Sequence, residues 1–228
     1  MNPLHKSIFA FLFIIASFIS FAQARFFIGI DNGHTIDRVD VNTEASYDST
    51  GSMITPASYI KNAYKGTGWL ININLGTQHY FDKNQFIGFR WFFTGGYGRT
   101  DLVNQVINKI HYPSSIINIA LGADILLDVI EFGGNNSLGL FGGVEGGVSS
   151  VFSDKTFYYD EENLHSFVAP EVFSSVRTGI SLFLAQHHRI EFVAKIPVYD
   201  LSFAKNPDSY DSNIYKPIQL MLGYKFVF

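Results

Sequence analysis

IQLMLGYKFVF, residues 218–228, is the stretch whose reading decides the fold. Ile218, Leu220, Leu222, Tyr224, Phe226 and Phe228 alternate with Gln219, Met221, Gly223, Lys225 and Val227, so one face is wholly apolar and the other is mixed. Period-2 alternation of this kind is the signature of a strand with one greasy side. Its length fits the roughly 9 to 11 residues that a tilted strand needs to cross a bilayer. The same pattern also suits the last edge strand of a soluble sandwich, so the rest of the chain must choose between them.

Composition narrows the choice. The chain has 228 residues, enough for one substantial domain, and its 23 Phe, 12 Tyr and 20 Gly without a long helical pattern favour β structure. Residues 1–24 read as a secretory signal peptide. Lys6 and His5 supply a short positive region, Ile8 to Phe21 is an apolar run, and Ala22-Gln23-Ala24 fits a small-x-small cleavage site. That run is too short for a comfortable membrane helix, so the domain division is 1–24 signal peptide and 25–228 barrel. Residues 25–228 then carry 15 Lys+Arg against 20 Asp+Glu, a net charge of −5 that gives no support to a nucleic-acid partner. There is no cysteine, so burial and strand pairing must supply the stability.

Alternating segments recur at 26–31, 66–81, 86–99, 115–127, 138–150, 166–185, 189–198 and 218–228. Long polar connections at 32–65, 100–113, 152–165 and 199–213 alternate with short turns at 82–85, 131–137 and 186–188. In a meander every long connection falls at one end, the pattern of outer-membrane barrels with short periplasmic turns and longer extracellular loops. The expected fold is therefore all-β, an eight-stranded antiparallel up-and-down transmembrane β-barrel.

The faces opposite the apolar ones hold Arg90, Asp124, Glu145, Glu171, Arg177, Glu191, Lys195 and Lys225, four cations and four anions. A one-residue slip would turn these into lipid, at roughly 2 to 4 kcal/mol for a midplane Arg or Lys, so register is tightly specified. Counting up from the turns levels Arg90 with Asp124, Glu145 with Arg177 and Glu191 with Lys225, which are expected as cross-strand ion pairs. Eight strands leave room inside only for side chains or one small ligand. With Phe92, Phe141, Phe173 and Phe183 also pointing inward, the expectation is a plugged lumen. Two aromatic girdles are expected, one of Tyr80, Phe81, Phe86, Tyr224, Phe226 and Phe228, the other of Tyr97, Tyr112, Tyr199 and Tyr215.

The terminal strand resembles the assembly signal of Gram-negative outer-membrane proteins, with terminal Phe228 preceded at every second position by Phe226, Tyr224, Leu222 and Leu220. The segments IINIALGADILLDV (116–129) and LGLFGGVEGGVSS (138–150) are similar to outer-membrane barrels of the Helicobacter type. Such proteins often carry larger surface domains and cysteine-paired loops. This chain has neither, so the resemblance does not carry an adhesin role with it.

What the resemblance implies is a place in the cell outer membrane, with outer-membrane lipid, lipopolysaccharide and the outer-membrane assembly machinery as partners, and a surface ligand as a further candidate. The leading expectation is a non-enzymatic membrane-structural or surface-interaction role through the long loops, the first of which holds Tyr47, Met53, Ile54, Tyr59, Ile60 and Tyr64. A small-solute channel is the alternative, and a lipid-modifying enzyme is a weaker one. Small barrel enzymes use His and Ser at the outer rim, and this chain offers His34, His111, His165 and Ser166. Adjacent strand residues diverge, however, so His165 and Ser166 make a poor dyad. No cofactor is expected. His187 and His188 fall in a turn and lack chelate geometry, and the loop carboxylates Asp154, Asp160, Glu161, Glu162, Asp200, Asp208 and Asp211 lack calcium-loop spacing.

Overall fold

The computed structural model describes residues 24–228 apart from 44–45, 48–49, 56–57, 83–84, 107–109, 134–135, 154–166 and 199–210. The signal-peptide expectation thus lies outside the described residues, apart from Ala24, as do Tyr199, His165, Ser166 and the loop carboxylates other than Asp211. The side chain of Asp211 is likewise outside what is described.

Among the described residues eleven strands run in chain order: β1 (Arg25–Thr43), β2 (Ser46–Tyr47), β3 (Met53–Thr55), β4 (Ser58–Tyr80), β5 (Ile87–Asn104), β6 (His111–Glu131), β7 (Ser137–Ser153), β8 (Phe167–Leu184), β9 (His188–Pro197), β10 (Asp211–Tyr215) and β11 (Ile218–Val227). β2 and β3 form a small separate hairpin. All the others join in one sheet whose first and last members meet. β11 pairs with β1 from Phe27↔Val227 to Ile36↔Ile218, β10 continues that ladder, and β1 pairs with β4 along its other edge. β10 and β11 together are the eighth stave of a closed antiparallel barrel, which leaves no edge in lipid.

Strand stagger fixes the shape. Following one hydrogen-bonded row, Arg25↔Gln78↔Arg90↔Asp124↔Gly143↔Arg177↔Lys195↔Gln219↔Thr35, returns to β1 ten residues beyond its start. With about 3.3 Å of rise per residue and about 4.8 Å between strands, this shear tilts the staves by about 40° and narrows the interior to side-chain width. Outside, the apolar faces form a continuous belt. On β6 it runs from Ile117 through Ile119, Leu121 and Ile125 to Leu127, all exposed. Those ten residue steps at this tilt span about 25 Å, the height of a transmembrane barrel's apolar band.

The strands overrun the segments read from sequence, chiefly at the loop end. Most of the expected 32–65 connection is strand, since β1 runs on to Thr43 and β4 begins at Ser58, leaving 44–57 between them. The 100–113 connection shrinks to 105–110 in the same way, 152–165 becomes 154–166, and β10 occupies the end of 199–213. Beyond lipid a strand no longer needs an apolar outer face, so alternation fades while pairing continues. At the turn end, Asp82 accepts from the N–H groups of Phe86 (3.0 Å) and Ile87 (2.9 Å), closing that hairpin as read. The last short turn sits slightly earlier than expected, at Ala185 and Gln186, whose φ of 49° and 63° are those of a type I′ turn.

Candidate functional site

The interior is where chemistry-bearing side chains converge. Asp31, Arg90, Asp124, Glu145, Arg177, Glu191, Lys195 and Lys225 come from β1, β5, β6, β7, β8, β9 and β11 and are all buried. They form one chain of alternating sign. Lys225 Nζ lies 3.1 Å from Asp31 and 2.6 Å from Glu191. Glu191 accepts from Arg90 Nη1, reaching across the barrel from β9 to β5. Arg90 also donates to Asp124 at 2.5 and 3.0 Å. Arg177 lies 3.2 Å from Asp124 and 3.5 Å from Glu145, and Lys195 Nζ donates to both Glu145 oxygens at 2.8 and 2.9 Å. Four anions and four cations thus cancel, which is what a low-dielectric interior requires of buried charge.

Register explains the partners. Arg90 and Asp124 are direct ladder neighbours. Glu145 stands opposite Ser175, with Arg177 two residues away, and Glu191 stands opposite Gly223, with Lys225 two residues away. The count from the turns levelled both of these pairs as direct neighbours. Shear displaces them by one pleat, and the long cationic side chains close the diagonal. Glu171 lies on β8 opposite Ser149, and its side chain is outside what is described.

Aromatic rings fill the space between the charges. The Arg177 guanidinium carbon lies 4.3 Å from the Phe92 ring centroid, Arg90 lies 5.2 Å from Phe141, and Arg189 lies 4.5 Å from Phe183. Phe92, Phe141 and Phe183 are buried, while Phe173 is half-buried. Gly122 makes room for Phe92, since a Cβ there would overlap the ring.

Several interior polar groups went unread in the sequence, Asp31 of the chain above among them. Arg189 binds Asp128 at 3.0 Å near the turn end, donates to Ser181 Oγ at 2.8 Å, and meets Tyr80 Oη, which itself donates to Asp128 at 2.5 Å. Tyr80 is therefore an interior residue and not part of the outer girdle. Near the loop end, the Asp37 carboxylate accepts from Thr35 Oγ1 (2.6 Å), Tyr215 Oη (2.6 Å) and Thr100 Oγ1. Above it Tyr64, Tyr112 and Tyr215 cluster with Val39, Ala63, Leu102, Ile116 and Val151 inside the barrel. That corrects Tyr112 and Tyr215 as girdle members, and Tyr64 as a loop contact residue. Ile60 packs on the same cluster, whereas Met53 and Tyr59 stay exposed. The side chains of Tyr47 and Ile54 are outside what is described.

Above that cluster, Asp40 accepts from Lys216, from Tyr59 Oη (2.5 Å) and from the Asn62 N–H (2.8 Å). Burial acts to raise its carboxyl, but these donors outweigh it and hold the group below the usual carboxylate range.

Outside, Leu220, Leu222, Tyr224 and Phe228 are exposed on the apolar face, Phe226 is half-buried beside Phe228 with centroids 5.0 Å apart, and Lys225 points inward. Phe81, Phe86 and Tyr97 are exposed at the belt's margins. His34 is on the outer wall of β1, and His111 on β6 meets Asp101 at 2.7 Å. His187 and His188 bind the Val227 carbonyl and Tyr224 Oη, each at 2.7 Å, so the two rings hold the terminal strand. No group of three or more metal-ligating side chains occurs among the described residues.

A closed, sheared eight-stave barrel with an apolar outer belt and neutralised interior charge is a transmembrane β-barrel. The chain belongs to a family of that class. A family model described as Helicobacter outer membrane protein matches residues 72–228, and the protein is accordingly a Gram-negative outer-membrane protein. Among solved structures the chain is similar to Neisserial surface protein A (14% identity, TM-score 0.46, covering 90% of this chain and 99% of that one). It is also similar to OprG from Pseudomonas aeruginosa (13%, 0.49, 90% and 97%) and to Ail, the attachment invasion locus protein of Yersinia pestis (15%, 0.37, 89% and 98%). No curated protein matches.

Proposed function

We propose that this protein is a plugged, non-enzymatic barrel whose work is membrane-structural or surface-interacting, with the loop end as its working face. The observation that carries this reading is the Asp31–Lys225–Glu191–Arg90–Asp124–Arg177–Glu145–Lys195 chain, which crosses the lumen with every side chain buried. Any solute would have to break several charge-assisted bonds in sequence to pass. The apolar cluster around Tyr64, Tyr112 and Tyr215 adds a second obstruction at the loop end. Residues 1–24 act as a removable export signal, and Leu220, Leu222, Tyr224, Phe226 and Phe228 act as the strand read by the assembly machinery. Lipid and lipopolysaccharide surround the belt, and Met53 and Tyr59 are the exposed groups offered to a surface ligand.

A channel is the second reading, and one observation favours it. Asn72 Oδ1, Asn118 Oδ1, Gln219 Oε1, Ser175 Oγ and the Arg177 nitrogens are buried without hydrogen-bond partners, as they would be along a wetted path. Vesicle swelling separates the two readings. Vesicles carrying the folded protein should swell in small sugars and amino acids no faster than protein-free ones; rapid swelling would support the channel.

A further inference from the structure

We propose that the outer wall of β1 is a pairing face for a second copy of this chain, a two-fold contact inside the membrane in which the Asn32 amide and the His34 imidazole each meet their own equivalents. Both side chains are exposed on that wall. Asn32 stands opposite Ile71 and Leu222 and His34 opposite Trp69 and Leu220, four apolar side chains that are themselves exposed. Ile36 is the last exposed apolar residue of β1 before Arg38. With about 3.3 Å of rise per residue and about 40° of tilt, Asn32 lies about 10 Å and His34 about 5 Å below that margin of the belt. An amide or imidazole facing hydrocarbon alone is costly, and polar side chains in membrane-spanning segments ordinarily face a partner. Elsewhere on the belt the barrel supplies that partner itself. Ser174 Oγ donates to the Val198 carbonyl at 2.9 Å, Thr178 Oγ1 donates to that of Phe141 at 3.0 Å, and Thr77 Oγ1 lies 3.0 Å from His79 Nε2. Asn32 and His34 have no such partner among the described residues.

Symmetry identifies the occupant. Two copies inserted the same way round are related by rotation about the membrane normal, so equivalent residues lie at equal depth. A primary amide both donates and accepts, so two Asn32 side chains exchange two hydrogen bonds, and a neutral imidazole likewise has one donor and one acceptor. The face therefore complements itself and needs no second kind of protein. Facing walls tilt in opposite senses, so the two β1 strands cross at about 80°, twice the tilt, and contact concentrates around residues 32–34. Arg38 is carried aside by that crossing, to about 20 Å from its equivalent and beyond the Debye length, so like charge does not oppose the pairing. Leu220, Leu222, Trp69 and Ile71 then close around the polar contact and keep lipid from it. The inference does not depend on whether the lumen conducts.

The test uses the full-length folded protein, with heat-modifiable gel migration to confirm that each variant is folded. Because the chain has no cysteine, Asn32→Cys and, on the opposite stave β7, Val144→Cys at an exposed belt position each introduce a single thiol at similar depth. Oxidation in dilute phosphatidylcholine vesicles should cross-link the Asn32→Cys chain at least about tenfold faster than the Val144→Cys chain. Sedimentation equilibrium in density-matched detergent micelles should show wild type as a reversible dimer, and Asn32→Leu/His34→Leu should weaken that dimer about tenfold. Cross-linking no faster at position 32 than at position 144 would overturn the face. A folded double variant that dimerises as tightly as wild type would overturn the polar contact. Wild type that stays monomeric in the micelles would overturn the dimer and leave the face to lipid.

Discussion

Replacing Arg189 with Met should cost more than any other single change in the interior, because this cation has no understudy. Its guanidinium is fully buried and lies 3.0 Å from Asp128, which is 3% exposed. Among the described residues no second cation forms an ion pair with Asp128, so the substitution leaves a carboxylate held only by Tyr80 Oη at 2.5 Å and stranded in low dielectric. Breaking a buried pair from one side costs about 3–5 kcal/mol. The surviving Tyr80 hydrogen bond places this case near the lower end, about 3 kcal/mol or a little over a hundredfold in the unfolding equilibrium. Removing both charges in Arg189→Met/Asp128→Leu should restore most of the loss, since an apolar pair of similar volume carries no desolvation cost. Urea unfolding of the vesicle-folded protein, followed by tryptophan fluorescence and gel migration, gives the three stabilities. A single variant within about 0.5 kcal/mol of wild type, or a double variant worse than the single, would refute the reasoning.

Glu191→Gln should be milder at about 2 kcal/mol in the same assay, because Arg90 keeps Asp124 and Lys225 keeps Asp31. Gly122→Ala should lower stability by about 1–3 kcal/mol by driving a Cβ into the Phe92 ring, and adding Phe92→Leu should recover part of it in thermal melts. Ala185→Asn/Gln186→Gly should raise stability by roughly 1 kcal/mol, since both residues hold positive φ that asparagine and glycine adopt at lower cost. Asp40 should titrate below the ordinary carboxylate value of about 3.9. Its contribution to the loop-end contacts is then complete above that value and is lost as pH falls through its own lower one. Carboxyl NMR should show Lys216→Gln moving the midpoint upward.

The belt and the barrel class were legible because lipid demands an unbroken apolar face, and Ile117 to Leu127 or Leu220 to Phe228 write that demand directly into period two. What escaped notice lay where the outer face relaxes. Asn32 and His34 interrupt the outward face of β1, which hid the inward run of Asp31, Thr35 and Asp37 and made strand look like loop. Arg189 has the same parity as Glu191 and Lys195, so alternation alone could have placed it inside. Tyr80 and Tyr215 show the opposite failure: a tyrosine near a strand end serves equally at a lipid interface or as an interior hydroxyl donor, and only the register of Asp128 and Asp37 decides between them.

Single-channel recording of the folded full-length protein in planar bilayers tests the central claim, that alternating ion pairs close the lumen. Wild type should show no steady open level above membrane leak. Arg90→Ala/Glu191→Ala, which removes the bridge from β5 to β9, should introduce transient openings. A steady ohmic conductance in the wild-type protein would contradict the account.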